Sequence, residues 1–479
     1  MKSIIRVCMI TLTFWLVSCN NISEFNVDPN NSATARPQEV LTSALGYIAF
    51  IMDAQYNDNA FLWGQYWTWG TGVSLGDDAR YIQLANAGNQ AWARSYSDAL
   101  ADIKFLKEVD NRAYNGIAKT LEVFVYQYLV DHFGDVPYSQ AVQGAIEDGS
   151  ILAPAYDDDA AIYPQLVTAL DDALVDLNAS SAAVGTEDLI YSGDLNSWMK
   201  FANSLKLRVL LRMSDVNDVA LQVNATVAAG EFIETADEIA EVPFTGASGS
   251  ENPMYAWEES GIGLFYKAAT TVTNVMDELN DPRKFYFYDE AVNFPGEIRA
   301  ADQNQIALDF GAVSPDWSDP SAVTYGAGVP TIFMSNWETW FLRAEAAVKY
   351  GTSDDATTAF ANAIAANFAY IGAPGADEFI AGLGFATASN QDKINILAVQ
   401  KWISMTGLQE AEGWIEARRF DTPTNPVFSG PTGVYQTPLQ SSLPDKVFPN
   451  RWLYPESEQT LNPKAPNQEA VTGKVFWDL

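Results

Sequence analysis

Cysteine, histidine and basic side chains are scarce in this chain of 479 residues. The two cysteines are Cys8 and Cys19, and the one histidine is His132. Cys8 lies in a leader segment that we expect to be removed, so the mature chain has no spare thiol for a disulfide and no His/Cys set for zinc. Because 27 basic residues stand against 61 acidic ones, the formal net charge is −34, and we expect no nucleic-acid partner.

Sequence motifs for cofactor chemistry are also lacking. The chain has no GxxxxGK(S/T) phosphate loop and no dinucleotide fingerprint that closes a strand. A Ser-His-Asp triad would have to use His132, which lies directly beside a Gly-Asp-Val-Pro turn. Paired carboxylates, as in glycoside hydrolysis, stay open because 61 acidic residues bring some close together in any fold. We therefore expect no enzyme: no catalytic residue, no cofactor and no metal.

Three consecutive aspartates, Asp157, Asp158 and Asp159, precede a helical stretch. Negative charge is favoured at the start of a helix, so we expect these residues to begin that helix. The alternative is a calcium site, since hard cations take clustered oxygen ligands.

The N-terminus has the layout of a secretory signal. Lys2 and Arg6 precede an apolar run over residues 7–17, which is shorter than the ~20 residues that a membrane-spanning helix needs. The run ends in Leu-Val-Ser-Cys at Cys19, which resembles a bacterial lipobox. By that resemblance, residues 1–18 are a lipoprotein signal peptide and Cys19 carries the lipid. The alternative is an ordinary signal peptide with a chance cysteine.

The remaining chain is predicted to be a mainly α-helical body on a short tether. Residues 19–37 are polar and form the lipid-anchored tether, and residues 38–479 form the body. Disorder is excluded because aromatic residues make up 13% of the chain. Apolar residues at helical spacing predict helices over 38–230 and 335–420. Between and after them we expect a loop-rich insertion over 235–330, with one helix near 267–279, and an irregular C-terminal segment over 421–479.

Local signals mark the ends of several predicted helices. An apolar face that runs from Ile117 to Leu129 predicts a helix that ends at Gly134. Ser335 and Glu338 have capping-box spacing and predict a helix that ends at Gly351. The next helix starts at Ser353 or Asp354. This antiparallel pair resembles a tetratricopeptide unit.

Short motifs occur in a fixed order along the chain. After the lipobox come Asp-His-Phe-Gly-Asp-Val-Pro-Tyr at 131–138, Trp-Met-Lys-Phe-Ala-Asn-Ser-Leu-Lys at 198–206, Leu-Arg-Ala-Glu-Ala-Ala at 342–347, Gln-Lys-Trp at 400–402, Trp-Ile-Glu-Ala-Arg-Arg at 414–419 and Arg-Trp-Leu-Tyr-Pro at 451–455. In this order they resemble the SusD/RagB family of Bacteroidetes outer-membrane lipoproteins. The motif residues themselves are predicted to be structural.

The resemblance implies both a fold and a function. The fold is a SusD-like α-helical body of tetratricopeptide-like pairs with a loop-rich, ligand-side lobe. The function is capture of an oligosaccharide, or of another nutrient, at the outer face of the outer membrane. The implied partner is a SusC-like TonB-dependent transporter, and the membrane contact is the lipid anchor. Two alternatives are a surface glycoside hydrolase and a helical-repeat assembly scaffold without a small ligand.

Aromatic side chains in loops are the candidates for ligand contact, because the apolar faces of sugar rings lie on flat aromatic rings. Tryptophans on helical stripes are instead predicted to be core: Trp198, Trp337, Trp340, Trp402 and Trp414. We predict that the ligand contacts are among Trp69, Tyr81, Tyr255, Trp257 and Trp317. Burial under loops, or contact with the transporter, is the alternative for each of them.

Overall fold

The protein is described here from a computed structural model. It covers residues 35–70, 76–144, 151–180, 183–259, 266–308 and 314–479. Cys19, the signal peptide and most of the tether lie outside these described residues, so their predictions stay predictions. Within the described ranges, no helix is both long and apolar enough to cross a bilayer.

Helices predominate in the described residues between 37 and 230, as the periodicity predicts. They are α1 (Pro37–Ile51), α2 (Asp58–Trp63), α3 (Asn89–Ala93), α4 (Leu100–Glu108), α5 (Arg112–Phe133), α6 (Asp159–Ala179), α7 (Leu195–Arg212) and α8 (Ala220–Ala229). π-Helical stretches, Met52–Asn57 and Arg94–Ala99, continue α1 into α2 and α3 into α4. Helix α5 is almost wholly buried against α4, α6 and α7 and ends at Gly134, whose φ of +79° favours glycine.

Helices also account for the chain from residue 336 to residue 420. They are α13 (Asn336–Tyr350), α14 (Ala356–Ile371), α15 (Ala376–Gly382), α16 (Asn390–Ser404) and α17 (Glu410–Phe420). Helix α13 ends at Gly351 as predicted, and α14 begins after its N-cap Asp355, one residue after the second of the two predicted starts. The two helices pack along each other, while their likeness to a tetratricopeptide unit stays a prediction.

The capping box predicted at the start of α13 forms only in part. The Ser335 side chain accepts a hydrogen bond from the Glu338 backbone N–H at 3.1 Å, as predicted. The Glu338 carboxylate does not accept a hydrogen bond from the Ser335 backbone N–H, which is the second bond of a capping box. It accepts instead from Arg208 Nη1 at 3.2 Å and from Gln409 Nε2 at 2.8 Å, because these buried donors would otherwise lack an acceptor.

Short elements build the insertion between the two helical parts. They are β2 (Ala240–Val242), α9 (Pro253–Glu259), β3 (Tyr266–Ala268), α10 (Thr270–Leu279), α11 (Lys284–Phe287), α12 (Gln305–Leu308) and β4 (Thr331–Met334). Strand β1 (Trp67–Trp69) pairs antiparallel with β3, and β2 pairs antiparallel with β4. The predicted helix near 267–279 therefore starts later, at Thr270, because its first residues form β3. The short helices were not predicted from the sequence.

Buried ion pairs join the two helical parts. Arg208 and Arg212 of α7, Lys401 of α16 and Arg419 of α17 face Glu338, Glu345, Glu412, Glu416 and Asp131, and we call this set the charged core. Arg419 donates to both oxygens of Glu345, at 2.7 and 2.6 Å. Such a network offsets the cost of taking its charges out of water only when each charge has partners, so it fixes how α7, α13 and α17 meet. Arg419, the motif arginine of this set, is fully paired inside the helical body, which agrees with the structural role predicted for it.

The C-terminal segment is irregular, as predicted, apart from α18 (Glu456–Leu461). It crosses the end of α5, where the Trp452 N–H donates to the His132 carbonyl at 2.6 Å and the Tyr454 hydroxyl donates to the Asp135 carbonyl at 2.8 Å. The two motifs at 131–138 and 451–455 are therefore parts of one contact.

The tryptophans that were predicted to be core are buried, with one exception. Trp198, Trp337, Trp402 and Trp414 are at most 1% exposed. Trp340 is only half-buried, because its place on α13 faces outward and its Nε1 donates to the Glu234 carbonyl at 3.1 Å.

Candidate ligand-binding site

Pairing of β1 with β3 brings two aromatic side chains from distant parts of the chain together. Trp69 and Tyr266 are partners across the two strands, and their rings stack with centroids 5.3 Å apart. Phe61 packs edge-on against both rings, at 5.2 and 4.5 Å. Tyr266 is fully buried while Trp69 is half-buried, so the stack is rigid beneath and open at Trp69.

The same row of rings continues to helix α9. Tyr266 packs against Tyr325 at 5.3 Å, and Tyr325 packs against Tyr255 of α9 at 5.5 Å. Tyr255 is half-buried. We call Trp69 and Tyr255, with Tyr266 and Tyr325 behind them, the aromatic surface.

Trp257 lies across α9 from Tyr255, because residues two apart do not share a helix face. Its ring is 47% exposed and meets Phe50 of α1 edge-on at 6.4 Å. Trp257 thus flanks the aromatic surface and is the most accessible of the predicted ligand residues. The ring contacts connect Trp69 to Tyr255 through Tyr266 and Tyr325, while Trp257 lies on another face of α9.

Tyr81 lies elsewhere, and its placement corrects the prediction of an exposed loop side chain. It is 2% exposed, its hydroxyl accepts from Gln65 Nε2 at 2.9 Å, and its ring meets Phe448 at 6.1 Å. Burial raises the pKa of the Tyr81 hydroxyl well above its usual range. Its φ is +63°, a left-handed turn that directs the chain inward. No face of the ring is open to a ligand.

Trp317 also lies apart from the aromatic surface. It is half-buried, and the Arg299 guanidinium lies between it and Phe294, at 6.0 and 3.9 Å from the two ring centroids. The next residue, Ser318, accepts from the Ala268 N–H at 2.9 Å, at the end of β3 that is opposite to Tyr266. Trp317 therefore belongs to a second, smaller aromatic group.

A buried aspartate beneath α9, missed in the sequence analysis, holds the start of that helix. Asp53 lies in the π-helical stretch and accepts from Asn252 Nδ2 at 2.7 Å, from Asn57 Nδ2 at 2.9 Å and from the Thr331 hydroxyl. The side-chain oxygen of Asn252 accepts in turn from the backbone N–H groups of Met254 and Tyr255, at 3.0 and 3.1 Å. Burial raises the pKa of Asp53 to about 6, although these hydrogen bonds oppose the shift. Two of its three partners, Asn252 and Thr331, are so distant in the chain that no local pattern marks it.

The single histidine has a structural environment. His132 is fully buried, its Nδ1 lies 2.7 Å from the Tyr128 carbonyl oxygen, and its ring packs on Tyr56, Trp414 and Trp452. Burial lowers the pKa of the imidazole well below its usual range, so it stays neutral at ordinary pH. These contacts are aromatic and backbone groups rather than a nucleophile and an orienting acid.

The three consecutive aspartates begin α6, as predicted. Asp158 is the N-cap and accepts from the Ala161 N–H at 3.2 Å, and Asp157 accepts from the backbone N–H groups of Tyr138 and Ser139 at 2.9 and 2.8 Å. In the part of the chain that the structure describes, no group of three or more His, Cys, Asp or Glu side chains is arranged to hold a metal.

Comparisons with known proteins agree with this architecture. A family model named SusD-like, described as "Starch-binding associating with outer membrane", matches residues 29–455. A SusD homolog from Bacteroides uniformis is 22% identical with a TM-score of 0.74, over 92% of this chain and 99% of that one. A chitin-binding SusD homolog from Flavobacterium johnsoniae is 21% identical with a TM-score of 0.74, over 92% and 97%. A further chitin-binding protein is 22% identical with a TM-score of 0.77, over 93% and 100%. No curated protein matches the chain.

Proposed function

The chain belongs to the SusD-like family, and on that premise we propose that it is a surface lipoprotein that binds a neutral glycan for uptake across the outer membrane. The family description names starch binding and association with the outer membrane. Two of the similar structures are named as chitin-binding, and another as an outer-membrane protein involved in nutrient binding. Starch and chitin are both chains of neutral pyranose rings, so the proposed ligand class is the one that they share.

The aromatic surface is the observation that carries this proposal. Trp69 and Tyr255 are each half-buried, and their rings are held by contact with Tyr266 and Tyr325. A pyranose ring gains most from a flat aromatic face that is already held in place, because no side-chain entropy is then lost on binding. The exposed ring of Trp257 adds a further contact beside them.

The charge of the protein supports a neutral rather than an acidic glycan. The formal net charge of −34 repels polysaccharides that carry uronate or sulfate groups. A neutral chain avoids that cost and is bound through ring faces and hydroxyl groups, which is the chemistry that the aromatic surface offers.

The anchor and the partner are further parts of the proposal. The lipobox at Cys19 supports a lipid anchor in the outer membrane, facing outward. The family resemblance supports delivery of the ligand to a SusC-like TonB-dependent transporter. Co-purification of the lipidated chain with such a transporter from membranes, compared with a Cys19→Ala variant, tests both parts.

The decisive experiment is a calorimetric titration of residues 20–479 with chito-oligosaccharides, malto-oligosaccharides and polygalacturonate. We expect saturable binding of a neutral oligosaccharide, loss of most of that affinity in Trp69→Ala and Trp257→Ala, and no binding of polygalacturonate. Trp340→Ala is the matched control, because Trp340 is a half-buried tryptophan on the other lobe. Release of shorter sugars would instead show a surface glycoside hydrolase. Absence of binding to all three ligands would favour an assembly scaffold.

A further inference from the structure

Asp53 connects three segments that meet under the aromatic surface. Its Oδ2 atom accepts from Asn252 Nδ2, at the start of α9, and from the Thr331 hydroxyl of β4. Its Oδ1 atom accepts from Asn57 Nδ2, at the end of the π-helical stretch. The side-chain carbonyl oxygen of Asn57 accepts in turn from the Ala411 N–H in α17 at 3.0 Å, which extends this hydrogen-bond network to α17. One carboxylate therefore ties α9 to the helical body.

Asn252 links Asp53 to Tyr255, one of the candidate ligand residues. The second hydrogen of its Nδ2 group has an acceptor in the Val329 carbonyl at 3.1 Å, and its backbone N–H donates to the Ala327 carbonyl at 2.8 Å. Its side-chain oxygen accepts the N–H groups of Met254 and Tyr255 in the first turn of α9. The position of Tyr255 is thus set by an amide whose own orientation is set by Asp53.

We propose that Asp53 is a positioning residue of the ligand site, and that its protonation state sets how tightly the aromatic surface binds glycan. The inference rests on the proposed function and adds its regulation by pH. Asp53 touches no ligand; it acts through Asn252 on Tyr255, and through α9 on Trp257.

The hydrogen bonds to Asp53 require its charged form. All three partners donate to it, and a carboxylate accepts such bonds about twice as strongly as a neutral carboxyl group does. A proton on Oδ1 would face the Asn57 amide, and a proton on Oδ2 would compete with Asn252 and Thr331 for that oxygen. Protonation therefore weakens the hold of Asp53 on Asn252, whose side chain then keeps only the Val329 carbonyl as a strong acceptor, and the first turn of α9 is less firmly positioned.

Asp53 is buried, and the groups around it favour a transition in mildly acidic solution. It is 5% exposed, and burial raises its pKa to about 6. Glu410 at the start of α17 is the neighbouring acid; burial raises the pKa of Glu410 well above its usual range, and the charge of Asp53 raises it further. Asp58 follows on the same segment and accepts from the Tyr266 hydroxyl at 3.1 Å. From β4, the side chain that faces Asp53 is the uncharged Thr331.

The test is the dissociation constant of a binding oligosaccharide, measured by calorimetry between pH 4.5 and 8 on residues 20–479. We expect affinity to fall about fivefold as the pH drops through 6, because one charge-assisted bond is weakened. Asp53→Asn should abolish this dependence. Asp159→Asn is the matched control: burial also raises the pKa of Asp159 to about 6, but its carboxylate bonds the Phe476 N–H, far from α9. Its pH profile should equal that of the unchanged protein.

A second variant separates positioning from a general loss of structure. Thr331→Val removes one hydrogen bond that favours the charged form of Asp53, so the midpoint of the affinity profile should move to higher pH. This variant keeps the inference testable if Asp53→Asn does not fold. Affinity that does not change between pH 4.5 and 8, or a midpoint that Thr331→Val leaves in place, would overturn the inference while the proposed function stands. Absence of glycan binding at every pH would overturn both.

Discussion

Arg212 and Glu412 form a fully buried ion pair, with Nη2 and Oε1 2.6 Å apart. Arg212 also meets Glu416 and Asp131, so its guanidinium balances three carboxylates from α5 and α17. Removal of one partner from such a set leaves charges in the interior without compensation. The charged core therefore holds the helical body together only as a complete set.

The first prediction follows from this set. Arg212→Met should lower the free energy of unfolding by roughly 3–5 kcal/mol, because the remaining carboxylates lose their common cation. Arg112→Met is the matched control: Arg112 pairs with Asp176 at 2.8 Å but is half exposed, so its loss should cost less than about 1 kcal/mol. Urea denaturation of both variants measures the difference, and equal losses would contradict it.

The second prediction concerns pH and stability at Asp53. Burial raises the pKa of Asp53 to about 6 from its ordinary 3.8, so the folded state holds the proton over a range where the unfolded state has released it. The stability that this proton contributes is present below pH 4 and is lost as the pH rises through 6. Relative to Asp53→Asn, the unchanged protein should therefore lose roughly 3 kcal/mol between pH 4 and 7. Denaturation curves at both pH values measure this, and a gain with rising pH would contradict it.

The third prediction concerns two glycines in helices. A Cβ at Gly413 in α17 would lie 1.9 Å from the Tyr66 hydroxyl, so Gly413→Ala should destabilise by about 1–3 kcal/mol. A Cβ at Gly382, the last residue of α15, would meet nothing within 4 Å, so Gly382→Ala should stabilise by about 0.5–1 kcal/mol. Thermal unfolding compares them. Tyr66→Phe should recover much of the loss at Gly413, and a double-mutant cycle without coupling would count against the close approach.

The fourth prediction separates the two kinds of predicted ligand residue. Trp69→Ala removes an open ring and should weaken glycan binding about tenfold, since aromatic contacts of this kind contribute about 0.5–1.5 kcal/mol beyond the area that they bury. Tyr81→Phe removes only a buried hydroxyl, so affinity should stay within twofold while stability falls by about 1 kcal/mol. Calorimetry and denaturation of both variants measure this; a large affinity loss in Tyr81→Phe would contradict the structural role of Tyr81.

The sequence predicts the helical frame better than the site, because helices depend on neighbours in the chain. The apolar face of α5 and the ends at Gly134 and Gly351 are local signals, and all three predictions hold. The Glu338 carboxylate departs from its local cap because Arg208 and Gln409 come from distant helices. No pattern within a few residues can contain such partners.

The candidate site was predicted as residue types rather than as an arrangement. Aromatic side chains near turns indicate Trp69, Tyr255, Trp257 and Trp317, which are at least partly exposed, and their contact with a ligand stays a prediction. The connection of Trp69 to Tyr255 depends on the pairing of β1 with β3, two strands of three residues each, far apart in the chain. The same limitation explains Tyr81, whose polar surroundings in sequence hide its contacts with Gln65 and Phe448.

The contact between the C-terminal segment and the end of α5 has a consequence for the order of folding. Arg451 donates to the Phe133 carbonyl across 318 residues of chain, and Trp452 closes over His132 beside it. The contacts at the C-terminal end of α5 therefore stay incomplete until almost the whole polypeptide has been synthesised, and contacts so distant in sequence form slowly. Residues 451 and 452 thus join the helical body among the last parts of the chain, and the contacts around His132 are complete only after they have done so.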